Sequence, residues 1–220
     1  MSEIYESDDE QVEKIKRWWD ENGRTTVLGL VIGLSAVFGW TSWQSYQATK
    51  AEAASAIYAQ LVNAARGDSP EDLKARADTL LAEYPESGYA VLATLYMAKE
   101  AATDNRLDEA KARLEWVVQN ASMDAYKQVA NLRLAQLALD SGDADNASAQ
   151  LGKLTPPTDD EAAFGASYYA LSGDIAHAQG NAEAARKAYE KALNIAGAGT
   201  SMGRRLSIKL SDLGTWNIKP

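Results

Sequence analysis

The stretch "YYALSGDIAHAQGNAEAARKAYEKAL", residues 168–193, decides the predicted fold of this chain. Alanine and larger apolar residues recur in it three and four positions apart, which is the spacing of the buried face of an α-helix. The pair Gly180-Asn181 interrupts this pattern, and such a pair is typical of a tight turn. Small residues let two helices approach closely, and a large ring such as that of Tyr189 fills the space that is left. The stretch therefore predicts two helices that pack against each other as a hairpin.

Similar turns recur along the chain at a nearly constant interval. Turn-type pairs stand at positions 67–68, 105–106, 142–143 and 180–181, so the steps between them are 38, 37 and 38 residues. Three of these turns are followed, five residues later, by Ala110, Ala147 and Ala185. A period of this size, built as helix, turn and helix, is typical of stacked helical hairpins.

The stretch 168–193 resembles a tetratricopeptide repeat (TPR). The positions that carry the likeness are Tyr169, where the repeat has Trp, together with Gly173, Gly180, Ala185, Tyr189 and Ala192. The earlier copies match less well, and the period exceeds the usual repeat length of about 34 residues, so the array is described as TPR-like. After the last copy, Leu206, Leu210 and Leu213 predict a capping helix that covers the end of the stack.

The second decisive feature is a run without any charged residue between Arg24 and Lys50. A helix needs about 20 apolar residues to cross the hydrocarbon core of a bilayer, and this run supplies them. A signal peptide has a shorter apolar stretch with a cleavage site close behind it, whereas the nearest Ala-x-Ala sequence here is residues 51–53. We therefore predict an uncleaved transmembrane anchor that runs on into the first helix of the array.

The predicted fold class is all-α: one N-terminal transmembrane helix, a TPR-like α-solenoid of about four helical hairpins, and a C-terminal capping helix. Residues 1–23 are predicted to be a cytoplasmic tail with a short amphipathic helix, which Ser7 begins and Gly23 ends. Residues 24–47 form the anchor and residues 48–220 the periplasmic TPR-like domain. The orientation follows from the excess of bases before the span, at Lys14, Lys16, Arg17 and Arg24, over Lys50 after it.

Two sets of residues are predicted to act within the membrane. The interfacial anchors, which hold the span at the two membrane surfaces, are Trp18, Trp19, Arg24, Trp40 and Trp43. The helix-packing candidates, whose small side chains let another helix approach, are Gly29, Gly33, Ser35 and Gly39. Glycine is also common in membrane helices that contact nothing, and the sequence leaves both readings open.

Composition excludes several classes of function. The net charge is −9, which argues against nucleic acid as a partner, and the absence of Cys excludes disulfides and Cys-based metal or redox sites. No catalytic motif is present, and the single histidine, His177, has no nucleophile near it in the sequence. An enzyme would have to rely on His177 or on the acids at 159–161. We predict a non-enzymatic protein without a cofactor or a metal.

The concave face of a TPR-like array binds segments of other proteins. The residues that the repeat register assigns to this face are Leu95, Lys99, Leu132, Gln136, Leu139, Asp174 and His177. The carboxylate-clamp version of the repeat has basic residues and Asn where Leu95, Leu132 and Ala170 stand here. Such a mixed apolar and polar groove suits a partner helix or a non-native segment.

The layout of the whole chain is similar to that of the bacterial ancillary SecYEG translocon subunit family. The likeness is most specific at "IYESDDEQVEKIKRWWDENG", residues 4–23, directly before the anchor. It implies a single-pass inner-membrane protein with a periplasmic TPR-like domain. It also implies three kinds of partner: the SecYEG translocon, a periplasmic membrane-anchored peptidyl-prolyl isomerase-like chaperone, and secreted client chains. The alternative is a TPR-like scaffold for envelope assembly or cell division, unrelated to the translocon.

Overall fold

Every regular element in the part of the chain that the computed structural model describes is an α-helix. The described residues are 8–67, 69–157 and 162–215. In chain order the helices are α1 (Asp8–Arg66), α2 (Pro70–Glu83), α3 (Gly88–Thr103), α4 (Leu107–Asn120), α5 (Asp124–Asp140), α6 (Ala144–Leu151), α7 (Ala162–Ala178), α8 (Ala182–Ala196) and α9 (Ser201–Thr215). The chain divides into two compact units, Met1–Ala53 and Ala54–Pro220. The predicted all-α class is confirmed.

Helix α1 extends from Asp8 to Arg66, so the prediction that the anchor continues into the first helix of the array is confirmed. The prediction that a short helix ends at Gly23 is wrong, because α1 passes through this residue. A lone glycine costs a helix only about 1 kcal/mol relative to alanine. The indole of Trp19 lies over Gly23, where an added Cβ would stand 3.2 Å from the ring. The predicted cap at Ser7 lies outside the described residues.

Three of the turns between helices contain a residue in the left-handed conformation. Asn105, Gly142 and Gly180 adopt positive φ angles of 59°, 82° and 78°, a conformation that glycine and asparagine tolerate best. The residue that follows each glycine caps the next helix: Asp143 accepts a hydrogen bond from the Asn146 amide, and Asn181 accepts one from the Ala184 amide. The Gly-Asp and Gly-Asn pairs therefore both end one helix and start another.

The second unit consists of successive helix pairs. In the described residues α3 pairs with α4, α5 with α6, and α7 with α8. The end of α1 and helix α2 share one apolar cluster with α3. The alanines that follow three of the turns, Ala110, Ala147 and Ala185, have no exposed surface. Helices α3, α5 and α7 are the first helices of their pairs, and α5 contacts both of the others.

Helices α7 and α8 approach each other most closely at one glycine. A methyl group on Gly173 would overlap the ring of Tyr189, which is only 2% exposed. The Tyr189 hydroxyl donates a hydrogen bond of 2.7 Å to Asp174 on α7, and burial together with this bond raises the pKa of the tyrosine. The glycine and the ring of the TPR pattern are therefore in direct contact. Helix α9 covers this hairpin through Leu206 and Leu213, as predicted for a capping helix.

We expect Gly173→Ala to destabilise the TPR-like unit by about 2 kcal/mol, because the new methyl group displaces a buried ring from a packed site. Thermal unfolding of the full-length protein in detergent, followed by circular dichroism, measures the effect. The matched control is Gly88→Ala, since nothing lies within 4 Å of an added Cβ at this first residue of α3. Equal melting temperatures for the two variants would contradict the proposed contact.

Candidate functional site

The apolar run in the first unit has the exposure of a lipid-facing helix. Its best 18-residue window has a mean hydropathy of 1.5, and none of that window is buried. Large apolar side chains are exposed all around it, including Leu28 at 60%, Phe38 at 67% and Trp40 at 65%. A helix that is apolar on every side belongs in a protein core or in a membrane. By length and composition, this single helix fits a single-pass membrane protein.

The helix-packing candidates form two separate small-residue faces. No atom outside the helix's own backbone lies within 4 Å of an added Cβ at Gly29, Gly33 or Gly39, so each position is open to a neighbour. With a rotation of about 100° per residue, the pair Gly29 and Gly33 and the pair Ser35 and Gly39 point about 120° apart. One straight partner helix therefore contacts one pair and leaves the other available. Their role in packing stays a prediction.

The predicted interfacial anchors stand at the two ends of the apolar run. The rings of Trp18 and Trp19 are 6.5 Å apart between centroids, and those of Trp40 and Trp43 are 5.4 Å apart. Trp19 and Trp43 are separated by about 36 Å along a helix that rises about 1.5 Å per residue. This spacing brackets a hydrocarbon core of about 30 Å and reaches the headgroups on both sides. Arg24 is exposed near the N-terminal pair.

In the second unit, the candidate site is the surface formed by the outward sides of α3, α5, α7 and α9, named here the groove face. Three predicted members turn out to belong mainly to the core. Leu95 is 6% exposed and lies in the cluster between α3, α4 and α5, while Leu132 and Leu139 are half-buried against the next cluster. The side chain of Leu95 therefore offers almost no surface to a ligand.

The polar members lie closer to the surface. Lys99 is exposed, stands 3.8 Å from Glu100, and lies over the ring of Tyr96. His177 is exposed in the last turn of α7. Gln136 and Asp174 come together, because both line a cleft of about 250 Å³ that α7 and α9 form. The structure thus unites two of the predicted groove residues at one place.

The capping helix supplies charges that the repeat register did not predict. Arg205 and Lys209 of α9 line the same cleft, and Lys209 forms an ion pair with Asp174. Asp174 also accepts the hydrogen bond of Tyr189, so this carboxylate joins α7, α8 and α9. The signal was in the sequence: at about 100° per residue, both bases lie on one flank of the face that Leu206 and Leu213 bury.

Arg133 of α5 is a further groove residue that the sequence reasoning missed. It extends from α5 to α3, where its Nη1 donates a hydrogen bond of 3.2 Å to the backbone carbonyl of Leu95. Partial burial lowers the pKa of this guanidinium. No carboxylate pairs with Arg133 among the residues that the structure describes.

A larger cleft, of about 340 Å³, lies at the turn end of the first two hairpins, and its charges are compensated within the protein. Arg106 contacts Asp104 at 2.8 Å and also contacts Glu109. The Arg113 guanidinium donates to Glu109 at 2.7 Å, and this bond is the main reason that the pKa of Glu109 is lowered. These pairs are local to the turn and the first turns of α4, and they leave little charge for a ligand.

A metal-binding cluster is not found within residues 8–67, 69–157 and 162–215. No group of three His, Cys, Asp or Glu side chains there could hold a metal ion. Buried side-chain nitrogen and oxygen atoms in these ranges all have hydrogen-bond partners. The acids at 159–161 lie outside the described residues.

Comparison with known proteins gives the family of the chain. The family model of the tetratricopeptide repeat-like domain matches residues 16–215. Similar curated proteins are each named ancillary SecYEG translocon subunit. Those of Aggregatibacter actinomycetemcomitans, Escherichia coli and Haemophilus influenzae are 33%, 32% and 30% identical to this chain. The alignments cover 87%, 86% and 84% of this chain and 91%, 88% and 88% of the relatives.

No solved structure matches this chain at a significant level. The family model alone covers most of the sequence, and the curated relatives align with it over nearly their whole length. The chain therefore belongs to the family of TPR-like ancillary SecYEG translocon subunits.

Proposed function

We propose that this protein is a non-enzymatic, membrane-anchored scaffold at the Sec translocon, which it links to periplasmic chaperones that assist secreted and outer-membrane proteins. The observation that carries the proposal is the extent of the similarity. Relatives named as ancillary SecYEG translocon subunits align with this chain over 84–87% of its length, so the alignment is not confined to a generic repeat.

The anchor has the features that docking on a membrane complex requires. Lipid provides no hydrophobic drive for helix association, so close packing at small residues is the main source of affinity. The open faces at Gly29 and Gly33, and at Ser35 and Gly39, allow such packing on two sides. We propose that one of them contacts a translocon helix.

The TPR-like unit acts as the receiving surface in this scheme. A tether confines it to the membrane surface and raises its effective concentration near the translocon exit, so that weak binding suffices. The groove face combines half-buried leucines with exposed polar groups, which suits a chaperone or an emerging client chain. A membrane-anchored peptidyl-prolyl isomerase-like chaperone is the partner that the family likeness suggests.

The proposed topology places the N-terminus in the cytoplasm and the TPR-like unit in the periplasm. Because the chain has no cysteine, single cysteines at Lys16 and at the exposed Ser148 report the two sides separately. We expect a membrane-impermeant maleimide to label Ser148→Cys in intact cells, and Lys16→Cys only after the inner membrane is permeabilised. Labelling of Lys16→Cys alone in intact cells would reverse the proposed orientation.

Photo-crosslinking in intact cells tests the docking of the anchor. A photoreactive residue at Gly29, Gly33 or Trp43 is expected to form adducts with translocon subunits, which mass spectrometry identifies. The same residue at Ser35 and Gly39 shows which small-residue face is used. Leu34 is the matched control, because it points about 120° away from both faces at about 100° per residue. Adducts with lipid or with a second copy alone, or with division or envelope proteins, would contradict the translocon assignment.

A further inference from the structure

Arg133 is the groove-face residue whose placement most needs an explanation. Its guanidinium crosses from α5 to the backbone of α3 and lies against the Leu95 carbonyl at 3.2 Å. That contact uses one of the five N–H donors of the group. The side chain as a whole is exposed, but this contact partly desolvates the guanidinium, and desolvation of a charge without a counter-ion is unfavourable. No carboxylate of the described chain meets it.

The same face continues into the α7–α9 cleft. Gln136 follows Arg133 by three residues on α5, and residues at this spacing are neighbours on a helix surface. Gln136 lines the cleft together with Arg205 and Lys209 of α9. The cleft also has an apolar lining, from Ala170, Leu171, Met202 and Leu206. Cationic and apolar groups thus lie side by side along the face.

Among the basic residues on this face, some form ion pairs within the described chain and two do not. Lys99 stands 3.8 Å from Glu100, and Lys209 is paired with Asp174. Arg133 and Arg205 have no ion pair within the described ranges. Both are arginines, which bind carboxylates through two parallel hydrogen bonds. The net charge of the chain is −9, so the charge of these two arginines is opposite in sign to that of the whole molecule.

The positions of the two arginines indicate the size of the ligand. Arg133 reaches the boundary between α3 and α5, whereas Arg205 lies where α9 faces α7. Arg133 lies one turn before Gln136, which lines the cleft with Arg205, so the two guanidinium groups stand at separate points along the groove face. A segment with several acidic side chains can contact both.

We propose that the groove face binds an acidic segment of a partner protein, and that Arg133 and Arg205 bind side-chain carboxylates of this segment. The apolar lining between them accepts the segment's apolar side chains. The inference rests on the proposed function in that the TPR-like unit receives a polypeptide. It differs from a carboxylate clamp in two ways. The basic residues come from α5 and from the capping helix, and the C-terminal carboxylate of the ligand is not required.

The probe is a fluorescein-labelled peptide of Glu, Ala and Leu, blocked at both ends and long enough to span both arginines. Its counterpart has Gln in place of every Glu. Fluorescence anisotropy with the full-length protein in detergent measures both affinities. We expect the Glu peptide to bind more tightly than the Gln peptide, and added salt to reduce this difference. Equal affinities would overturn the proposal.

Single variants identify the residues. We expect Arg133→Gln and Arg205→Gln each to weaken binding of the Glu peptide by about tenfold, as loss of a charge-assisted hydrogen bond does. The control is Arg76→Gln, an exposed arginine on α2, away from the groove face; it should bind as the wild type does. Because Arg133 also bonds to α3, circular dichroism checks that the Arg133→Gln variant is folded. Arg205→Gln provides a second variant at an exposed residue. Wild-type affinity in both variants would exclude these arginines.

A further experiment distinguishes binding of side-chain carboxylates from binding of a C-terminal carboxylate. The Gln peptide with a free C-terminal carboxylate should bind no better than its blocked form. If the free end alone restores tight binding, the ligand is a chain terminus and the proposal is wrong. Failure of the peptides to bind leaves the anchor crosslinks unaffected, so this inference and the translocon assignment can fail separately.

Discussion

Close approach of paired helices is the constraint on which the TPR-like unit depends. At Gly173 the absence of a side chain lets the ring of Tyr189 lie directly on α7, and at Ala110, Ala147 and Ala185 a single methyl group is fully buried. Dispersion forces act only over short distances, so each such contact requires small residues on one side and a filling group on the other. The polar end of Tyr189 then reaches Asp174, and Asp174 reaches Lys209 of α9. The tightest hairpin thus positions the capping helix.

The span obeys a different constraint, because lipid is its solvent. Backbone groups in the hydrocarbon region must be satisfied within the segment, which a continuous helix achieves. The apolar side chains that a soluble unit would bury are therefore exposed in the first unit, while the second unit hides its apolar groups in four clusters. In the proposed function, the span contacts a membrane partner through its small residues, and the repeat unit contacts a polypeptide.

The groove face shows how a capping element acquires a second role. Helix α9 closes the core with Leu206 and Leu213, and the flank of the same face places Arg205 and Lys209 beside the cleft. The capping elements of repeat arrays keep the ends of the array soluble. Here the cap also sets the charge at one end of the groove, while Arg133 sets it near the middle.

Local features were determined by the sequence alone, because they depend on residues only a few positions apart. Helical periodicity, the positive φ angles at Gly142 and Gly180, the buried alanines and the length of the apolar run all follow from such short-range patterns. The helix end expected at Gly23 failed because the flanking residues on both sides continue the helix and Trp19 packs over the glycine. Only the tertiary structure decided which groove positions are exposed. The contact of Arg133 with Leu95 spans 38 residues and that of Lys209 with Asp174 spans 35. Burial of Leu95 likewise depends on which helices meet, and a repeat register predicts this only where the copies match well.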